Sequence, residues 1–160
     1  AVLVHHGLFW RGQSGVITGW MRERVALLLA HDISLLAYHL PLDAHPQWGN
    51  NAQLGKQLGL QVQGQFGEQS LGVWGQTPGW SFDQLQSHCQ QVLNRAPTGV
   101  PGDGRPIHRL GWCTGGAQGY FESAIEAGVD AFLTGEISEP QAHLPAPRCA
   151  WSALRACRAQ

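Results

Sequence analysis

At 160 residues the chain is the size of one domain, with 43% hydrophobic and only 13% charged residues, against about 25% charged in ordinary soluble domains. A formal net charge of −1 without any basic run excludes the electrostatic footprint of a nucleic-acid or membrane-surface binder. No apolar run reaches the roughly eighteen residues of a spanning helix, so the low charge points to extensive burial or to a subunit interface.

Residues 1–4, Ala-Val-Leu-Val, predict a short buried strand, with His5-His6-Gly7 beyond it. Neighbouring side chains on a strand point to opposite faces. Two adjacent imidazoles therefore converge only where the strand has ended and the chain has turned, and Gly7 is the expected turn. Gly19–Ala30 predicts a helix with Met21, Val25, Leu28 and Leu29 on one face. Residues 33–38 predict a second buried strand ending at His39, where Pro41 stops the ladder and a loop carries Asp43 and His45. Asn50-Asn51 is expected to cap a short helix to about Leu58. The glycine-rich residues 61–76 read as short irregular strands. Ser81 and Gln84 form a capping box opening a helix through Asn94, whose apolar face is Phe82, Leu85, Cys89, Val92 and Leu93. Residues 95–106, with three prolines and three glycines, read as a surface loop. A strand follows over 107–112, then Gly115-Gly116 and a helix over 117–127 stopped by Gly128. A last strand over 129–133 leads to Thr134-Gly135-Glu136. Such alternation predicts an α/β fold with a mostly parallel sheet flanked by helices.

Both histidine segments then lie just past the C-terminal ends of strands, where open α/β sheets bind ligands. Imidazole and carboxylate are the donors of a hydrolytic divalent-metal site, and His5, His6, His39 and Asp43 supply both. Each residue also has a plainer reading. Tandem histidines can be a structural pair, Asp43 a turn residue, and His45 a satisfied loop residue. Glu136, after a strand and a glycine, is a candidate general base or a surface carboxylate. Gly115-Gly116-Ala117 is an anion cradle or a tight turn. The seven tryptophans read as core or interface, and Cys89, Cys113, Cys149 and Cys157, with no CxxC pair, as reduced thiols of a cytoplasmic protein.

The segments Val4-His5-His6-Gly7-Leu8-Phe9-Trp10-Arg11-Gly12, Tyr38-His39-Leu40-Pro41-Leu42-Asp43-Ala44-His45 and Gly49-Asn50-Asn51-Ala52-Gln53, with residues 111–116 and 130–139, resemble successive motifs of the NIF-three-like family, commonly called GTP cyclohydrolase 1 type 2 homologs. The resemblance runs in order over residues 1–139. It implies a dinuclear centre of two divalent ions (Zn, Mn or Fe), a toroidal homo-hexamer, and hydrolase-like chemistry in which activated water attacks a nucleotide-like substrate. Carried over by position, His5, His6 and Asp43 match metal ligands, and His39 a histidine that supports them from outside the coordination sphere. The alternative is a metal-binding oligomeric scaffold or regulatory interaction protein without turnover.

Two departures stand beside the resemblance. The family carries a segment before the His-His-Gly strand, and it completes its site near the C-terminus with a Gly-His-His-Ala-Thr-Glu-like stretch. Here residues 1–139 form a partial domain, and residues 140–160 are an atypical tail rich in Pro, Arg and Cys, with residues 151–159 read as a weak helix. A change of reading frame near His143 is the expectation, and nine Arg to one Lys fit a GC-rich source. A chain so truncated is expected to lack turnover and to expose sheet edges.

Overall fold

Two apolar triplets, Val2–Val4 (β1) and Leu35–Ala37 (β2), pair in parallel, Val2 opposite Leu35 and Val4 opposite Ala37. The helix Gly19–Ala30 (α1) connects them, with the bounds its sequence predicts. Asp32 ends it at φ 49°, where the amides of Asp32 and Ile33 donate back to Leu29 and Leu28. This closing turn satisfies two otherwise orphaned carbonyls. Met21, Val25 and Leu28 are half-buried as expected, but Leu29 points out and is 77% exposed. These elements belong to one of two compact units, Ala1–Asp43, and the other is Ala44–Gln160. The structure, a computed structural model, describes residues 1–139 and the backbone of Ser152–Arg155. His143, Cys149 and Cys157 lie outside the described residues, as does most of the tail.

The unit Ala44–Gln160 is built on a six-stranded sheet. Its strands are Gly64–Phe66 (β3), Gly72–Trp80 (β4), Thr98–Val100 (β5), Ile107–Cys113 (β6), Ala131–Thr134 (β7) and Ser152–Arg155 (β8), in the order β3-β4-β6-β7-β8-β5. Neighbours β6-β7 and β7-β8 are parallel, whereas β3-β4, β4-β6 and β5-β8 are antiparallel. The expected mostly parallel sheet is therefore corrected to a mixed one. Residues 61–76, expected to be short irregular strands, hold β3 and the start of β4, a hairpin whose second strand runs nine residues to Trp80. Its glycines are covered across the ladder. Trp74 lies opposite Gly64 and Phe66 opposite Gly72, and a Cβ on Gly72 would meet the Phe66 ring at 2.6 Å. The loop expected over 95–106 holds β5, and the helix expected over 151–159 is replaced at Ser152–Arg155 by β8.

Helices cover both faces of this sheet. Asn50–Gln57 (α3, the four-residue Leu40–Asp43 turn being α2) and Phe82–Leu93 (α4) lie on one side. That core joins Leu58, Val73, Leu85, Cys89, Leu110 and Trp112. Alternate residues of β6 and β7 face the other side, where Cys113 and Phe132 pack with Phe66, Phe121 and Ala124 from Phe121–Glu126 (α5). α4 carries the expected capping box: Gln84 N donates to Ser81 Oγ at 3.2 Å and Ser81 N to Gln84 Oε1 at 2.8 Å. Cys89 and Cys113 are buried and form no disulfide among the described residues, and burial pushes the Cys89 thiol up to about 11. Among the described residues no helix is long and apolar enough to cross a membrane.

Candidate metal centre

The unit Ala1–Asp43 brings its histidines together through strand order. Because β1 and β2 are parallel neighbours, the chain leaves both at the same end, β1 into His5-His6 and β2 into His39. The chain bends at His5-His6 immediately after Val4, which lets both rings approach one region. Gly7 serves by its size there, since a Cβ would meet Ala37 Cβ at 3.3 Å. Beyond β2 the chain does not run into a loop. His39 accepts from the amides of Leu42 and Asp43 at 3.0 and 3.1 Å, opening the helical turn α2. Pro41 sits in its first turn, where the missing N–H costs nothing. That turn puts His39 and Asp43 four residues apart on one helical face.

One ligand atom from each of His5, His6 and His39 lies within 4.8 Å of the others. Their rings are in mutual edge contact, with centroids at 4.8, 4.9 and 5.0 Å. Asp43 Oδ2 lies 3.5 Å from His5 Nε2 and 3.8 Å from His39 Nε2, with its side chain 16% exposed. The carboxylate therefore faces the ring nitrogens and not bulk water. The donors are the hard-to-borderline set that divalent Zn, Mn or Fe accept. Nitrogens around a single tetrahedral ion at 2.0–2.1 Å lie about 3.4 Å apart, so the observed spacing needs a modest closing of the rings for one ion and is roomy enough for more. The residues present fit such a group. His39, expected outside the coordination sphere, stands geometrically among the nitrogen donors, and Asp43 faces two of them.

Glu136 lies in the unit Ala44–Gln160, on the segment after β7, half-buried beside the Gly115-Gly116 turn. Its Oε2 would be 3.4 Å from a Cβ on Gly116. A carboxylate beside these amides disfavours an anion cradle, and Gly115 at φ 77° with Gly135 packed on its backbone fits the tight turn. His45 Nδ1 accepts from the amides of Gln47 and Trp48 at 3.2 and 3.0 Å, as expected of a satisfied loop residue.

Trp10 is the residue that sequence reasoning passed over. Its ring centroid is 5.2 Å from that of His39 and 5.6 Å from that of His6. Grouping it with the other tryptophans as core or interface hid it. The available signal was its place three residues after the His-His-Gly bend.

The family model described as Duf34/NIF3 (NGG1p interacting factor 3) matches residues 1–153. A protein of Neisseria meningitidis serogroup B called "GTP cyclohydrolase 1 type 2 homolog" is 51% identical over 144 residues, 89% of this chain and 58% of the relative. A Pseudomonas aeruginosa protein of the same name is 50% identical over 147 residues, again 89% of this chain and 58% of the relative. The solved structure titled "Structural genomics, protein ybgI, unknown function" superposes with a TM-score of 0.85 at 45% identity, covering 98% of this chain and 63% of that one. The chain thus spans somewhat under two thirds of the length of these proteins.

Proposed function

This chain belongs to the Duf34/NIF3 family, and we propose that His5, His6, His39 and Asp43 form a divalent-metal centre of hydrolase type acting on a nucleotide-like substrate. One observation carries the reading: three imidazole donors gathered within 4.8 Å, with a carboxylate turned toward two of them. The name of its relatives, "GTP cyclohydrolase 1 type 2 homolog", supports the substrate class. Divalent ions held there would supply Lewis acidity, lowering the pKa of a bound water toward neutrality and polarising a substrate oxygen. The imidazoles bind through unprotonated nitrogens, and Asp43 adds negative charge and orients His5 and His39. For a pair of ions, three imidazoles and one carboxylate leave positions for further donors, so the centre proposed for the whole protein is more complete than these four residues. Turnover by the present chain alone is accordingly proposed to be absent. The two buried thiols, in no disulfide among the described residues, support work in the reducing cytoplasm.

A second reading has its own observation. Leu3, Leu27, Leu29 and Leu36, all in the unit that holds the histidines, are exposed. Such a surface favours assembly, up to the toroidal hexamer, and a metal-binding scaffold would use the same residues without turnover. Metal content tests the centre. Elemental analysis after loading with Zn or Mn is expected to find one to two ions per chain, bound at least about tenfold more weakly by His5→Ala and Asp43→Ala. Equal metal content in all three proteins would sink the centre. Product release from GTP by a metal-replete whole protein separates the hydrolase from the scaffold.

A further inference from the structure

The indole of Trp10 is anchored in a way that neither packing nor metal binding requires. Its Nε1–H donates to Gly7 O at 3.0 Å. Its backbone amide donates to Gln13 Oε1 at 3.3 Å, and its carbonyl accepts from Gln13 N at 3.2 Å. Every polar group of the residue is thus satisfied within three positions along the chain. What remains to offer is aromatic surface, and the residue is 41% exposed. It fills no core, because no residue of Ala1–Asp43 is buried. Yet its ring stands 5.2 and 5.6 Å from the His39 and His6 rings, the separation at which aromatic groups touch.

We propose that Trp10 is a stacking wall for the substrate at this centre, taking the π-face of a planar heteroaromatic ring such as a nucleobase. The proposal rests on the metal-centre reading and deepens it by naming what recognises the base. A substrate whose reacting atom reaches the imidazole cluster, and which carries a fused bicyclic ring, meets the indole within one ring's length. The anchor at Gly7 fixes the plane of the wall before the ring arrives, so little side-chain freedom is lost on binding. Stacking recognises any base by its π-face, which suits a chain with no separate base-reading motif in its sequence.

The test measures two affinities on the same proteins. Zn and guanosine are titrated calorimetrically into wild type, Trp10→Ala and Trp10→Phe, with ribose as the non-aromatic control and guanosine run both with and without Zn. Trp10→Ala is expected to weaken guanosine by roughly tenfold or more, Trp10→Phe to retain most of it, and Zn affinity to stay within about twofold throughout. Unchanged guanosine affinity in Trp10→Ala overturns the proposal, as does wild type that binds Zn but no guanosine. Parallel loss of Zn and guanosine also overturns it and makes Trp10 a residue that positions the histidines. Absence of Zn binding in wild type overturns the metal centre instead, and the Zn-free guanosine comparison then still decides the wall.

Discussion

The unit Ala44–Gln160 buries Trp112, Phe132, Leu85 and Leu110 completely, whereas Ala1–Asp43 buries no residue at all yet holds every imidazole of the candidate centre. In the first of these, helices cover both faces of a mixed sheet and alternate residues of β6 and β7 feed two cores. In the other, two parallel strands share one helix, and Leu3, Trp20, Leu27 and Leu36 stay in water. Parallel strands are ordinarily covered on both faces, and a two-stranded sheet alone is marginal. The contrast teaches that the centre takes its order from local bonds. Those are the His39 turn, the Gly7–Trp10 bond and the Gln13 bonds, and none of them depends on a core.

The largest effect expected from this contrast lies in the well-packed unit. Trp112 is 0% exposed and donates Nε1–H to Asn51 O at 2.8 Å. Trp112→Ala is expected to cost about 3–5 kcal/mol through lost burial and the cavity left behind. Leu36→Ala, on β2, is expected to stay within about 0.5 kcal/mol. Urea unfolding followed by circular dichroism compares the two. A Leu36→Ala cost near that of Trp112→Ala would mean that β2 is packed in solution, and the contrast would collapse.

A smaller effect tests local bonding in the same unit. Ser81→Ala removes one half of the capping box at the start of α4 and is expected to cost about 1 kcal/mol. The same unfolding experiment reads it, with an unchanged denaturant slope. No loss would mean that α4 is held by Leu85 and Cys89 alone.

Legibility in the sequence follows the range of the interactions. α1, the capping box of α4 and the stop at Gly128 were readable because caps and periodicity act over a few residues, and the structure places all three where expected. The length and regularity of β4 were not, because the glycines of this hairpin are poor strand formers until Trp74 and Phe66 cover Gly64 and Gly72 across the ladder. That information resides in pairing, not in local composition. The mixed character of the sheet was missed for the same reason, since β3 is a three-residue strand whose pairing the short irregular strands expected there do not reveal, and β5 lies in a segment that reads as loop. At the candidate centre, the residue types and their place past two strand ends were legible. The orientation of His39 was not. The strand does end before Pro41, but the expected loop is the helical turn α2 with Pro41 in its first turn, and that turn aims His39 and Asp43 the same way.

The smallest effect on stability carries the sharpest question about Ala1–Asp43. Leu29 on α1 is the most exposed of its large apolar side chains, so Leu29→Lys is expected to change unfolding free energy by less than about 0.5 kcal/mol. A lone exposed leucine would have no other consequence. Here Leu27, Trp20 and Leu36 are exposed in the same unit, and exposed apolar residues gathered into one patch mark an interface or an aggregation site. Sedimentation velocity of the two proteins at matched concentrations separates these cases. If copies of the chain cover this surface, Leu29→Lys shifts the distribution toward the monomer while the unfolding curve stays in place. An unchanged distribution would leave α1 outside any self-association of this chain.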